Sequence, residues 1–311
     1  MSRTTRVLCE GIYFGDDPRW HQGRLWFADF YAHAVKSASL AGDLRTEVEI
    51  DDQPSGLGWM PDGSLLIVSM FKRQVLRRSV DGKISVHADL NHIADFHCND
   101  MVVDPEGRAY VGNFGFDLFG EFAARGFDSV LANHPTANLA CVWPDGSARV
   151  VATDMHFPNG TVITPDGKTL IVAETLAERL TAFDIGADGS LTNRRVWAWV
   201  KPGIPLGSAE LFAKPIGTAF HRLPDGIALN ADGQIWMANA LAPECVLFAP
   251  GGKVLEVIDT GVPCFACMLG GDDGRTLFML THPPTGGSDA TTSPEGKLII
   301  TTVDVPHAGL P

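Results

Sequence analysis

The chain has 311 residues, 45% hydrophobic and 20% charged, an ordinary globular composition with enough apolar material for a large core. Its 24 basic and 37 acidic side chains leave a net charge of −13, which argues against a nucleic-acid backbone or an anionic membrane surface as the main partner. The N-terminal MSRTTRVLCEG lacks the apolar centre of a signal peptide, and no segment approaches the roughly 20 apolar residues of a membrane span. A cytoplasmic protein is expected, with six cysteines held as reduced thiols.

In chain order, a turn ending in glycine is followed six times by a short apolar run: HQG-RLWFA, PDG-SLLIV, PEG-RAYVG, PDG-KTLIV, ADG-QIWMA and DDG-RTLFM. The glycines are Gly23, Gly63, Gly107, Gly167, Gly233 and Gly274, with gaps of 40, 44, 60, 66 and 41 residues. That period is close to one four-stranded propeller blade. In the third repeat the spacing predicts an inner strand over Asp100–Asp104, then strands over Arg108–Asn113, Leu139–Trp143 and Ala148–Thr153. Pro and Asp pre-set these turns and Gly accepts positive φ, so the connections are tight and antiparallel. Only 37 residues follow Gly274, one strand too few for a sixth blade. Thr5–Glu10 belongs to no other blade and pairs beside Leu298–Val303 to close the ring. The expectation is an all-β, six-bladed propeller, residues 1–311 forming a single domain.

Counting back from each turn glycine to the start of its inner strand gives Asp16, Ser55, Asn99, Asn159, Asp225 and Ala266. Strand-start Asx residues also arise from local turns, but four at one ring position crowd around a common axis. Two carboxylates there repel unless a cation lies between them or one takes a proton. Asp16, Asn99, Asn159 and Asp225 are therefore predicted to hold one divalent metal ion. An all-oxygen set favours Ca2+, with Mg2+, Mn2+ or Zn2+ as alternatives.

The segments DDPRWHQGRLWFAD, HCND, FPNGTVITPDG and LPDGIALNADG carry a resemblance to the senescence marker protein/gluconolactonase family, the regucalcin-like six-bladed propellers. The resemblance spans nearly the whole chain. It implies a lactonase with metal ligands Asp16, Asn159 and Asp225, and Asn99 beside the metal as ligand or substrate contact. The family usually has Glu where this chain has Asp16, one methylene shorter, and its sugar lactonases often carry Arg where His97 stands.

The two long gaps hold extra chain at about 114–138 and 201–223. Both connections return to the face where inner strands begin, so both insertions are expected over the mouth that carries the Asx ring. They are apolar and aromatic: Phe114, Phe116 and Phe119 in the first, Phe212 in the second. They read as a wall for a hydrophobic or aromatic substrate body, with mutual cover or an oligomer contact as the alternative.

Together these features predict a metal-dependent hydrolase that opens a lactone ring. Asp225 is assigned as general base, ionised near neutrality, with direct nucleophilic attack as its other role. Asp100 and His97 orient substrate or move a proton; His156 and His221 flank the mouth. Phosphotriester hydrolysis, a lyase or isomerase reaction, and a non-catalytic propeller binding a ligand or peptide around a structural calcium are the competing readings. Cys98 alternates away from the Asn99 face and is not expected to be a nucleophile. Cys264-Phe-Ala-Cys267 lies in an apolar strand and reads as core rather than as a redox or zinc motif.

Overall fold

A computed structural model describes residues 3–201, 221–284 and 290–309. It contains six sheets of four antiparallel strands in sequential order, and the sixth is completed by the N-terminal strand Arg6–Ile12 beside Gly296–Thr302. The ring therefore closes as the strand count predicts, and the pairing of Arg6 with Ile300 and Glu10 with Lys297 sets its register. Second strands such as Leu65–Ser69 and Ala109–Asn113 are buried along their whole length, because neighbouring blades cover both faces. Among the described residues no helix is long and apolar enough to cross a membrane.

The inner strands are Gly15–His21, Pro54–Trp59, Cys98–Val103, Pro158–Ile163, Pro224–Leu229 and Cys264–Gly270. Each shows an irregular register near its start, between Asp16 and Arg19 in the first blade and Pro158 and Thr161 in the fourth. The cause is crowding at the axis. A Cβ on Gly160 would come 2.5 Å from the Asp225 carbonyl oxygen of the next blade, so a side chain is excluded there. Gly56 and Gly226 occupy the same place in their blades, whereas blades one and three carry Asp17 and Asp100.

A second set of polar residues stands at the far end of each second strand. Asp29, Ser69, Asn113, Glu174, Asn239 and Thr281 each pair with the first residue of the adjacent inner strand, and all six are buried. Several of them hold the backbone that leads into the inner strand. Asp29 accepts the amides of Tyr13 and Phe14, Glu174 that of His156, and Asn239 that of Leu223. Leaving such a buried amide unpaired costs about 1–3 kcal/mol, so these residues fix the entry path of the strands that build the axial ring.

Between the second and third strands of blade three, residues 114–136 form a cap with helices α1 (Leu118–Arg125) and α2 (Phe127–Ala132). Asp117 caps α1 by accepting the Gly120 amide at 3.0 Å. Phe114, Phe116, Leu118 and Val130 pack against Phe157 and Leu176 of blade four. Residues 202–220, most of the second insertion and including Phe212, lie outside the described residues. At the other end of the channel the C-terminal segment donates the Ala308 amide to the Leu229 carbonyl at 3.0 Å. There a cavity of about 20 Å³ is lined by Arg19, Ile227, Met268 and His307, room for about one water.

Candidate active site

Four of the predicted ring residues lie at the channel mouth and are buried: Asp16, Asn99, Asn159 and Asp225. The neutral members form a directed chain of hydrogen bonds. Ser55 donates to Asn99 Oδ1 at 3.4 Å, Asn99 Nδ2 to Asn159 Oδ1 at 3.2 Å, and Asn159 Nδ2 to Thr175 Oγ1 at 3.2 Å. Thr175 Oγ1 donates in turn to the carbonyl of Pro224, the residue before Asp225, at 2.7 Å. Each amide oxygen accepts one bond in this chain and keeps a second lone pair.

The charged members are not satisfied in this way. Asp16 Oδ1 and both carboxylate oxygens of Asp100 are buried with no hydrogen-bond partner. Burial, then the charges of Asp225 and Asp17, pushes the Asp16 carboxyl well above its usual range. Asp225 is raised by burial and by Asp100, against a smaller pull from the Asn159 amide. Asp100 is raised by burial and by Asp16 and Asp17. Asp16 and Asp100 face each other within hydrogen-bond reach: a proton on Asp100 would join the pair, whereas with both ionised neither has a proton to donate. Burial and Asp100 thus push the Asp225 carboxyl upward, against the ionised form expected of a base, and a positive counter-charge at the ring would favour ionisation.

That environment fits a divalent cation. Two carboxylates and two amides supply oxygens only, one Asp16 oxygen is orphaned, and hard divalent ions take such ligands. Among the described residues no three His, Cys, Asp or Glu side chains are grouped as around a metal ion; two of the four ligands proposed here are amides. Asp17, one step deeper, is answered differently: it pairs with Arg19 at 2.7 Å and accepts the Leu57 amide. Burial still raises it to about 6.

The remaining predicted residues separate into two groups. His97 sits at the mouth two residues before Asn99, stacked on Phe96 at 4.0 Å and close to Phe71 at 4.2 Å and Phe114 at 6.0 Å. Burial lowers its pKa, which favours neutral imidazole. Phe114 and Phe116 are buried in the cap, while Phe119 is largely exposed. His156 and His221 instead hold structure together. His134 Nδ1 donates to the Val130 carbonyl at 2.8 Å, so His134 Nε2 accepts from His156 Nδ1 at 2.9 Å and ties α2 to blade four. His221 contacts Glu178 at 3.1 Å, and Glu178 also meets Lys201 at 3.3 Å. Cys98 is fully buried and its thiol is pushed up to about 12 by burial, so it carries no thiolate at neutral pH. Cys264 and Cys267 are free and buried, and the thiol of Cys245 joins them in the core, a neighbour that sequence spacing does not reveal.

Three residues of this mouth were not anticipated: Phe71, Phe96 and Asp17. Phe71 follows the second strand of blade two directly, as the cap follows that of blade three, and Asp17 replaces the glycine of three other blades. Both signals are visible once the blades are aligned.

A sequence model of the SMP-30/Gluconolactonase/LRE-like region matches residues 14–283. This chain belongs to that family. Pentonolactonase XacC of Haloferax volcanii is 24% identical, over 99% of this chain and 96% of that protein. The 6-deoxy-6-sulfogluconolactonase of Pseudomonas putida is 22% identical over 100% of this chain and 99% of its own. Among solved structures, the calcium-binding protein regucalcin from Agrobacterium tumefaciens matches with a TM-score of 0.75 at 20% identity, covering 99% of this chain and 97% of that one. The family membership and the six-bladed fold agree with the sequence reading.

Proposed function

We propose that this protein hydrolyses the ester bond of a lactone whose body carries a hydrophobic or aromatic portion, and that it needs one divalent cation, calcium first. The observation that carries this reading is the group of orphaned, buried carboxylate oxygens beside two amide oxygens at an aromatic-rimmed mouth. Asp16, Asn99, Asn159 and Asp225 would hold the cation, which when bound polarises the ester carbonyl and stabilises negative charge on its oxygen.

The chain's own residues do the rest. Asp225, ionised against a counter-charge, takes a proton from the attacking water as that oxygen bonds to the carbonyl carbon. The ring C–O bond breaks and the proton passes to the departing alkoxide, giving the open hydroxy acid. Asn99 and Asp100 orient the ester, and neutral His97 lies against the substrate body. Two of the relatives named above are a pentonolactonase and a 6-deoxy-6-sulfogluconolactonase by name; the aromatic rings at this mouth support a less polar substrate for this chain.

The test is hydrolysis of a panel running from sugar lactones to aromatic ones, before and after chelation, with elemental analysis of the purified protein. Activity that vanishes on chelation and returns with calcium supports the proposal. A melting temperature that falls on chelation with no lactone hydrolysed supports a ligand-binding propeller instead.

A further inference from the structure

The mouth has a sidedness that the metal ring does not explain. On the side of blades two and three a run of rings is in continuous contact: Phe71 to His97 at 4.2 Å, His97 to Phe114 at 6.0 Å and Phe114 to Phe119 at 6.3 Å. The inner members are buried or half-buried, but the two ends are open, Phe71 at 48% and Phe119 at 67% exposure. Across the mouth, Phe14 of blade one meets Phe265 of blade six at 4.7 Å and Tyr31 at 6.2 Å. Phe14 and His97 each stand two residues before a ring oxygen, Asp16 and Asn99. Both lie just ahead of their inner strands, which begin at Gly15 and Cys98. Aromatic rings thus flank the entry of two of the strands that carry the oxygen ring.

An exposed phenylalanine is common on any surface. Two exposed phenylalanines from different blades, linked through the half-buried His97 ring and the buried Phe114 ring, are a different matter. The packed rings make the ridge an apolar, π-rich edge suited to a flat group. It begins two residues from Asn99, so a substrate with its ester at the oxygen ring has its body against the ridge.

We infer that Phe71 and Phe119 are specificity-determining residues, seating the aromatic or planar apolar part of the substrate while the ester lies over Asp16, Asn99, Asn159 and Asp225. This rests on the lactone reading for its assay, and it adds which substrates are preferred and by which side chains. Neither residue touches the reacting atoms; they act on KM and not on the chemical step.

The test compares a benzo-fused six-membered lactone with the saturated six-membered lactone, using calcium-loaded wild type, Phe71→Ala, Phe119→Ala and the double variant. The expected result is a rise in KM of about tenfold per substitution for the benzo-fused substrate, the size of one lost aromatic contact plus its buried area. The saturated lactone should change less than twofold in KM, and kcat should hold for both. Phe71→Leu keeps apolar bulk and should recover part of the aromatic KM. Equal effects on both substrates, or none on either, overturn the inference. A direct binding titration with the benzo-fused cyclic ether, which has no ester to cleave, separates the two proposals. Binding weakened in Phe71→Ala with no hydrolysis of any lactone keeps the ridge and rejects the lactonase. Hydrolysis with unchanged ether binding in both variants keeps the lactonase and rejects the ridge.

Discussion

One step below the oxygen ring, Asp17 and Arg19 answer each other at 2.7 Å, and at the far end of the channel the Ala308 amide meets the Leu229 carbonyl near a cavity of about 20 Å³. At the ring itself, Asp16 and Asp100 are as deeply buried, yet apart from each other three of their four oxygens have no partner. The same six inner strands build both levels. Buried charge that is paired within the chain serves the fold, whereas buried charge left unpaired needs something the chain does not supply. The contrast sets the oxygen ring apart from the rest of the channel.

The largest effect that sharpens this contrast is catalytic. Asp225→Asn should lower kcat on the preferred lactone by about 10³-fold with unchanged circular dichroism; a loss below tenfold removes Asp225 as the base. Next come two substitutions of opposite sign. Arg19→Met strands Asp17 in the core and should cost about 3 kcal/mol in urea unfolding of metal-free protein. Asp16→Asn relieves repulsion at the ring and should raise metal-free stability. If both destabilise alike, the two levels are not different in kind.

A third effect follows from ligand linkage. Calcium at about 100 times its Kd should stabilise wild type by about 2.7 kcal/mol, read as a shift in the urea midpoint, and Asp16→Asn should lose most of that gain. The smallest effect is on pH. The folded-state pKa of Asp16 lies above its ordinary 3.8, so the folded protein holds this proton more tightly than the unfolded chain. The associated stability is complete below 3.8 and is lost as pH rises through the raised value. In metal-free protein the advantage of Asp16→Asn over wild type should therefore grow as pH is raised from below 4, and calcium should abolish the trend. An advantage independent of pH would mean that Asp16 is not charged at the ring.

The polar residues that end the second strands show how much more the sequence carried than its turns. Apolar runs stop at such a residue, as in RLWFAD, RAYVGN and QIWMAN: Asp29 and Asn239 hold the loops leading into the ring, and Asn113 holds the start of the cap. Asp100 shows the reverse. Its position beside Asn99 is plain in HCND, but its burial against Asp16 and Asp17 of another blade is a property of separate blades meeting.

The chain by itself determined the blade count, the closure by the N-terminal strand and the four Asx residues of the ring. These follow from a short-range code, in which turn glycines and apolar runs recur at fixed spacing. Only the tertiary structure decided which buried charges are paired, that burial and Asp100 push the Asp225 carboxyl upward, and that Phe71 joins His97 and the cap at one side of the mouth. The physical reason is that desolvation and Coulomb energy depend on distances between separate blades, and no periodicity along one strand reports them.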